Sequence, residues 1–187
     1  MKPLRLAAAA ALILLPGLAQ AHTGLHADGL AAGALHPLTG PDHLLAMVAA
    51  GLWAASLGGA ARWITPAAFV GTMALGAVLG VSGIPLPGVE PLVAASVVGL
   101  GIAVAARLRV SAVAASVLVG VFALAHGHAH GAEMPEMASP LAYGLGFAAV
   151  TAALHAVGLG AGRLGPALAR MAGAAIALAG VVMAVGG

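Results

Sequence analysis

The sequence predicts an all-α fold: a polytopic membrane helix bundle with about six transmembrane helices after a cleaved signal peptide. Three observations carry this. The 187 residues are 62% hydrophobic and only 6% charged, with a mean hydropathy of +1.10, whereas a soluble domain carries about 25% charged residues. Apolar stretches recur at about the 20-residue length that a membrane helix needs. The apolar mass is Ala, Leu and Val with 28 Gly, and aromatics are 3%. Small residues let membrane helices approach closely where no hydrophobic force drives them together. The pI of about 10.0 rests on seven Lys and Arg with no basic patch, so nucleic acid is excluded as a partner and the lipid bilayer is the expected surrounding. With no Cys, disulfides, thiolate ligands and Cys-linked haem are excluded too.

Residues 1–21 read as a secretory signal peptide. Lys2 and Arg5 form its positive start, Leu6 to Leu15 its apolar run, and Ala19-Gln20-Ala21 its cleavage site. The mature chain then begins at His22, outside the cytoplasm, where a free amine beside an imidazole is a candidate metal chelate. Residues 22–187 read as a single six-helix transmembrane domain, cut at Pro, Gly and charged positions near 30–56, 66–84, 90–106, 110–130, 140–160 and 166–186. With His22 outside, the inside connections hold Arg62, then Arg107 and Arg109, then Arg163, and Arg170 lies in the first turns of the last helix. The outside loops around Pro85–Glu90 and Gly127–Ser139 hold no Lys or Arg. This asymmetry follows the positive-inside rule and leaves both mature termini outside.

The first span carries His36-Pro37-Leu38-Thr39-Gly40-Pro41-Asp42-His43, with Met47 one turn on. Each proline lacks an N–H and clashes with the carbonyl four residues back, so a break is expected here. If Pro41 opens a second half-helix, Thr39 or Gly40 caps it and Asp42 and His43 occupy its first turn. Ionisable groups at membrane depth are functional by default. Broken helices in transporters commonly supply cation ligands. The fourth span ends in His126-Gly127-His128-Ala129-His130-Gly131, followed by Glu133 and Glu136. A helix continuing past Gly127 puts His126 and His130 one turn apart, where they can share a metal; a helix ending there makes a flexible capture loop. Glu90 opens the third span and is a further candidate, although the helix dipole alone would favour a carboxylate there. Phe69 and His155 are pathway candidates, each with packing as the plainer reading.

Imidazole donors suit nickel, cobalt, zinc and copper(II), whereas pure oxygen sets suit magnesium and calcium. The expected ligand is therefore a divalent first-row ion, and no prosthetic group is implied. A rival reading is a membrane-embedded metal-dependent hydrolase, with three His on zinc and Asp42 or Glu133 as base. A serine variant would use Ser82 in Gly80-Val81-Ser82-Gly83. A metal buffer or sensor is a third reading, and it leaves the broken helix unexplained. The chain has no phosphate-binding Gly-Lys-Ser/Thr loop, and Lys2 is its only lysine, so it does not hydrolyse ATP by itself.

The pattern His36-Pro37-x-x-Gly40-x-Asp42-His43-x-x-x-Met47, behind a cleavable signal and a new N-terminus starting with His, resembles the HupE/UreJ family of nickel permeases. The stretch from His126 to Gly131 before Glu133 resembles that family's second His motif. The resemblance spans essentially the whole chain. It implies a multi-pass bacterial inner-membrane permease that imports Ni2+, with Co2+ or Zn2+ as alternatives, for hydrogenase or urease maturation. Cytoplasmic nickel chaperones of those assembly routes are the implied partners. Carried over by position, His36, Asp42 and His43 match the first motif and His126, His128 and His130 the second.

Overall fold

The computed structural model describes residues 29–136 and 138–186; the expected signal peptide, His22, His26 and Asp28 lie outside them. Seven α-helices account for nearly all of the described residues: α1 (Gly29–Thr39), α2 (Pro41–Leu57), α3 (Ala61–Val81), α4 (Val89–Ala105), α5 (Ala112–Ala132), α6 (Pro140–Ala161), continued by a 3-10 turn at Gly162–Leu164, and α7 (Pro166–Gly186). The helices α3, α5, α6 with its 3-10 turn, and α7 are long and apolar enough to cross a membrane, and α4 is a shorter apolar helix. Together α1 and α2 occupy the stretch expected as the first span. The protein is thus a multi-pass helical membrane protein.

The break in the first span falls at Gly40, for local reasons. Gly40 is extended (φ −91°, ψ 110°) and caps α2 without a side-chain bond. Pro41 takes the first helical position, where its fixed φ is already suitable and its missing N–H costs nothing. Pro37 is accommodated inside α1. The hydroxyl of Thr39 donates to the His36 carbonyl (2.8 Å), and the Gly40 carbonyl accepts from Leu44 N (3.0 Å), so the interruption is partly bridged. At the second span the expectation misses the start: α3 begins at Ala61 rather than 66, with Pro66 inside it. A proline inside a helix costs one backbone bond, and here the helix continues through it.

The closest helix pair is α3 with α5. Gly76 and Gly80 on one helix face Gly127 and Gly131 on the other. A Cβ on Gly127 would run into the Met73 carbonyl, and one on Gly76 into the Leu124 carbonyl. Such four-residue glycine spacing brings two backbones together in lipid, where dispersion contacts replace the hydrophobic effect. The glycines of the His126–Gly131 stretch therefore have a packing role, and they determine which way its histidines turn.

The two ends of the bundle differ. At one end the Trp53 indole N–H donates to the Leu108 carbonyl (3.0 Å) and Arg170 Nε donates to the Ala105 carbonyl (3.1 Å). Arg62, Arg107, Arg109 and Arg163 belong to this same end by helix order. The other end carries His36, Asp42, Glu90, His128, Glu133 and Glu136, with His128 Nε2 donating to the Ile84 carbonyl (2.8 Å). Charge is thus sorted along the bundle axis.

Candidate metal centre

The break at Gly40 places His43 in the first turn of α2, facing the bundle interior at 8% exposure. The unbroken α5 continues past Gly127 to Ala132 and places His126 (0% exposed) and His130 (3%) one turn apart on its buried face. The three rings meet. His43 lies 4.5 Å from His126 and 3.9 Å from His130, centroid to centroid, and one nitrogen of each of the three comes within 4.8 Å of the others. A second triad overlaps the first. His36, His130 and Glu133 also offer donor atoms within 4.8 Å of one another, with His36 Nε2 3.4 Å from Glu133 Oε2. His130 belongs to both triads.

Hydrogen bonds determine which nitrogen each ring offers. The Asp42 carboxylate can only accept, and its Oδ1 lies 2.5 Å from His43 Nδ1 and 2.8 Å from the His43 backbone N. Nδ1 therefore carries the proton, and Nε2, buried without a partner, presents its lone pair. On the far side of the site the single Ser96 hydroxyl proton goes to the Val93 carbonyl (2.6 Å), which leaves Ser96 Oγ to accept from His126 Nε2 at 2.8 Å. His126 Nδ1 is then the free base, and it too is buried and unpartnered. Carboxylate or hydroxyl partners behind an imidazole, setting its tautomer and aim, are the usual surroundings of a histidine metal ligand. Both nitrogens of His130 are buried without partners. Buried polar groups are rarely left unpaired, so the orphaned nitrogens gathered here make this a candidate ligand position.

Asp42 is outside both triads as a donor, and its carboxylate is bonded to His43. Glu90 is exposed, yet it lines a cleft of about 330 Å³ together with Asp42, His43 and Glu133. His128 stands apart from both triads, tied to Ile84. Met47 packs in the core one turn beyond His43. Phe69 lies 6.1 Å from His126 and 4.8 Å from His155, both of them buried. Glu136 is exposed and belongs to neither triad, and His22 lies outside the described residues. The structure adds groups that the sequence did not single out. Ser96 orients His126, while Tyr143 and Phe147 on α6 wall the outer triad, with Phe147 4.1 Å from His130 and Tyr143 6.0 Å from His36. A lone serine or aromatic in an apolar helix has no local signal that separates it from packing.

The fold and the gathered donors define a class, that of multi-pass helical membrane proteins with a candidate metal centre inside the bundle. The family then follows from comparison: the HupE / UreJ protein family model matches residues 10–183, and the chain belongs to that family. It is 48% identical over 191 residues to Protein HupE of Rhizobium leguminosarum bv. viciae, covering 100% of both chains. No solved structure matches it significantly.

Proposed function

We propose that this protein is a bacterial inner-membrane permease that imports a divalent first-row metal ion, nickel before cobalt or zinc, for hydrogenase or urease maturation. The arginine-bearing end is then cytoplasmic and the carboxylate-bearing end periplasmic, in keeping with the positive-inside rule. An ion reaching the cleft meets Glu90, Glu133 and Asp42, whose negative charge offsets part of the cost of shedding water. It binds first to His36, His130 and Glu133, then to His43, His126 and His130. Neutral imidazoles hold it without adding charge. The inward-negative potential assists by about 2.3 kcal/mol per charge per 100 mV.

The observation that carries this reading is the sharing of His130 between the two triads. An ion can pass from the outer to the inner set while one protein ligand stays in common, so it is never stripped of every donor at once. The hydrolase reading has a three-His centre in its favour. However, His43, His126 and His130 are at most 8% exposed, which admits an ion far more readily than a lipid or peptide substrate. The delivery partner in the cytoplasm would be a nickel chaperone of hydrogenase or urease assembly.

Uptake into proteoliposomes with Ni2+, Co2+ and Zn2+ in competition tests the proposal. Concentrative or potential-driven entry with Ni2+ favoured is the expected result. Purified protein that turns over lipid or peptide and moves no metal would support the hydrolase instead. Histidine ligation competes with protons, so acid weakens metal binding by such a set.

A further inference from the structure

The rings at the centre of the bundle form a continuous line. His36 lies 4.5 Å from His130, His130 lies 3.9 Å from His43, and His43 lies 4.5 Å from His126. The line continues through Phe69, 6.1 Å beyond His126, to His155, 4.8 Å beyond Phe69. Four metal-capable rings are followed by one that cannot ligate, and then by a fifth that can. His155 is 1% exposed, and both of its ring nitrogens are buried without a partner. Among the described residues the one polar group its ring approaches is the Thr151 backbone, one turn back on the same helix. Burying an imidazole is unfavourable unless its nitrogens are well paired, so a ligand at this ring would offset that cost.

Its surroundings suit a cation. On α6 the preceding turn of the same face carries Thr151, whose hydroxyl, fully buried, donates only to the soft Met73 sulfur at 3.8 Å. On α3 the turn next to Phe69, toward the arginine-bearing end, carries Thr65, 0% exposed and with its hydroxyl unpartnered. Thr65, Phe69 and Met73 follow one another at four-residue spacing and so share one face. By helix spacing, buried hydroxyls thus lie a turn from Phe69 on α3 and a turn from His155 on α6, and the imidazole packs against the Phe69 ring.

We propose that His155 is an inner transit site for a divalent transition-metal ion, separated from the imidazole cluster by Phe69, whose ring must turn aside for the ion to pass. The proposal rests on the permease reading and deepens it. One imidazole with hydroxyl neighbours binds more weakly than a three-His set. Passage requires this, because a site that must release its ion cannot hold it tightly. Phe69 keeps the two halves from being open to water and protons at the same moment.

The test uses the full-length protein with Co2+ as probe, reading the cluster by the visible absorption of bound Co2+ and transport by radiolabelled Co2+ uptake into proteoliposomes. His155→Phe keeps a planar ring and His155→Leu an apolar side chain of moderate size, and both remove the donor. In whichever variant keeps the Co2+ spectrum, uptake is expected to fall by at least about tenfold, the lower range for disturbing groups around a metal. His155→Gln, which restores an oxygen donor, is expected to recover part of the rate. Wild-type uptake in a donor-less variant with an intact spectrum would overturn the proposal, as would loss of the spectrum in both variants, which would make His155 a prop for the cluster. Co2+ binding without uptake by the wild-type protein would sink the permease reading and this one together. That failure is told apart because it lies in the wild type rather than in a variant.

Discussion

The two stretches that deliver imidazoles to the centre do so by opposite means. In the first span the helix is broken: Gly40 turns out of helical geometry, Pro41 restarts the chain, and His43 enters from the first turn of α2 with Asp42 at its back. In α5 the helix is unbroken: Gly127 and Gly131 press the backbone against α3, and that contact turns His126 and His130 inward while His128 looks toward Ile84. One route spends backbone hydrogen bonds on placing a ligand and its carboxylate together at a helix start, where a negative charge is favoured. The other spends side-chain volume. A charged orienting group is therefore needed only on the broken side, and a neutral hydroxyl, Ser96, serves the other. The difference predicts unequal sensitivity of the two sides.

The largest effect is expected at the residue the two sides share. His130→Ala removes a donor from both triads, and metal uptake should fall by about a hundredfold or more, the upper range for groups around a metal; uptake near the wild-type rate would show that the overlap of the triads carries no function. Next comes the glycine contact. Gly127→Val forces side-chain volume into the Met73 carbonyl, and overpacking of this kind costs about 1–3 kcal/mol. Thermal unfolding should come earlier and Co2+ binding should weaken with it. By contrast, Gly144→Ala, whose Cβ meets nothing within 4 Å, should leave both unchanged or slightly improved.

The comparison sharpens with the two orienting groups. Asp42→Asn keeps the shape but removes the charge that holds the His43 tautomer, and metal affinity should drop about 10–100-fold. Ser96→Ala removes one neutral hydrogen bond, worth about 0.5–1.5 kcal/mol, and should weaken affinity no more than about tenfold. Isothermal titration with Ni2+ on both variants checks the order, and an Asn variant that binds better than the Ala variant would reverse the argument. The smallest effect is expected at His128. Its ring is engaged by the Ile84 carbonyl and belongs to neither triad, so His128→Ala should leave uptake within about twofold while losing one neutral bond of stability.

Much of this was legible in the chain because local chemistry governs it. Two prolines around a Thr-Gly pair dictate a helix break, and Pro41 at the first helical position carries Asp42 and His43 into the first turn wherever the helix packs. Apolar runs punctuated by Gly, Pro and Arg locate the helices within a few residues, apart from the start of α3. The rest depends on contacts between distant segments. Spacing permitted His126 and His130 to share an ion, yet nothing local indicated that α5 would stay helical through two glycines; the reason is their fit against Gly76 and Gly80 on another helix. Asp42 reads in sequence as a metal ligand, and its bond to His43 Nδ1, invisible there, is what gives it a place behind the ring. Ser96 lies 30 residues from the ring it orients, in a helix that is otherwise apolar beyond its first turn.

X-ray absorption at the nickel edge, on purified full-length protein loaded with one equivalent of Ni2+, addresses the coordination directly. The shared-triad arrangement predicts three imidazole nitrogens in the first shell, with the imidazole scattering pattern reduced by one ring in His130→Ala. A shell of water and carboxylate oxygens with no imidazole signature, unchanged by that substitution, would contradict it.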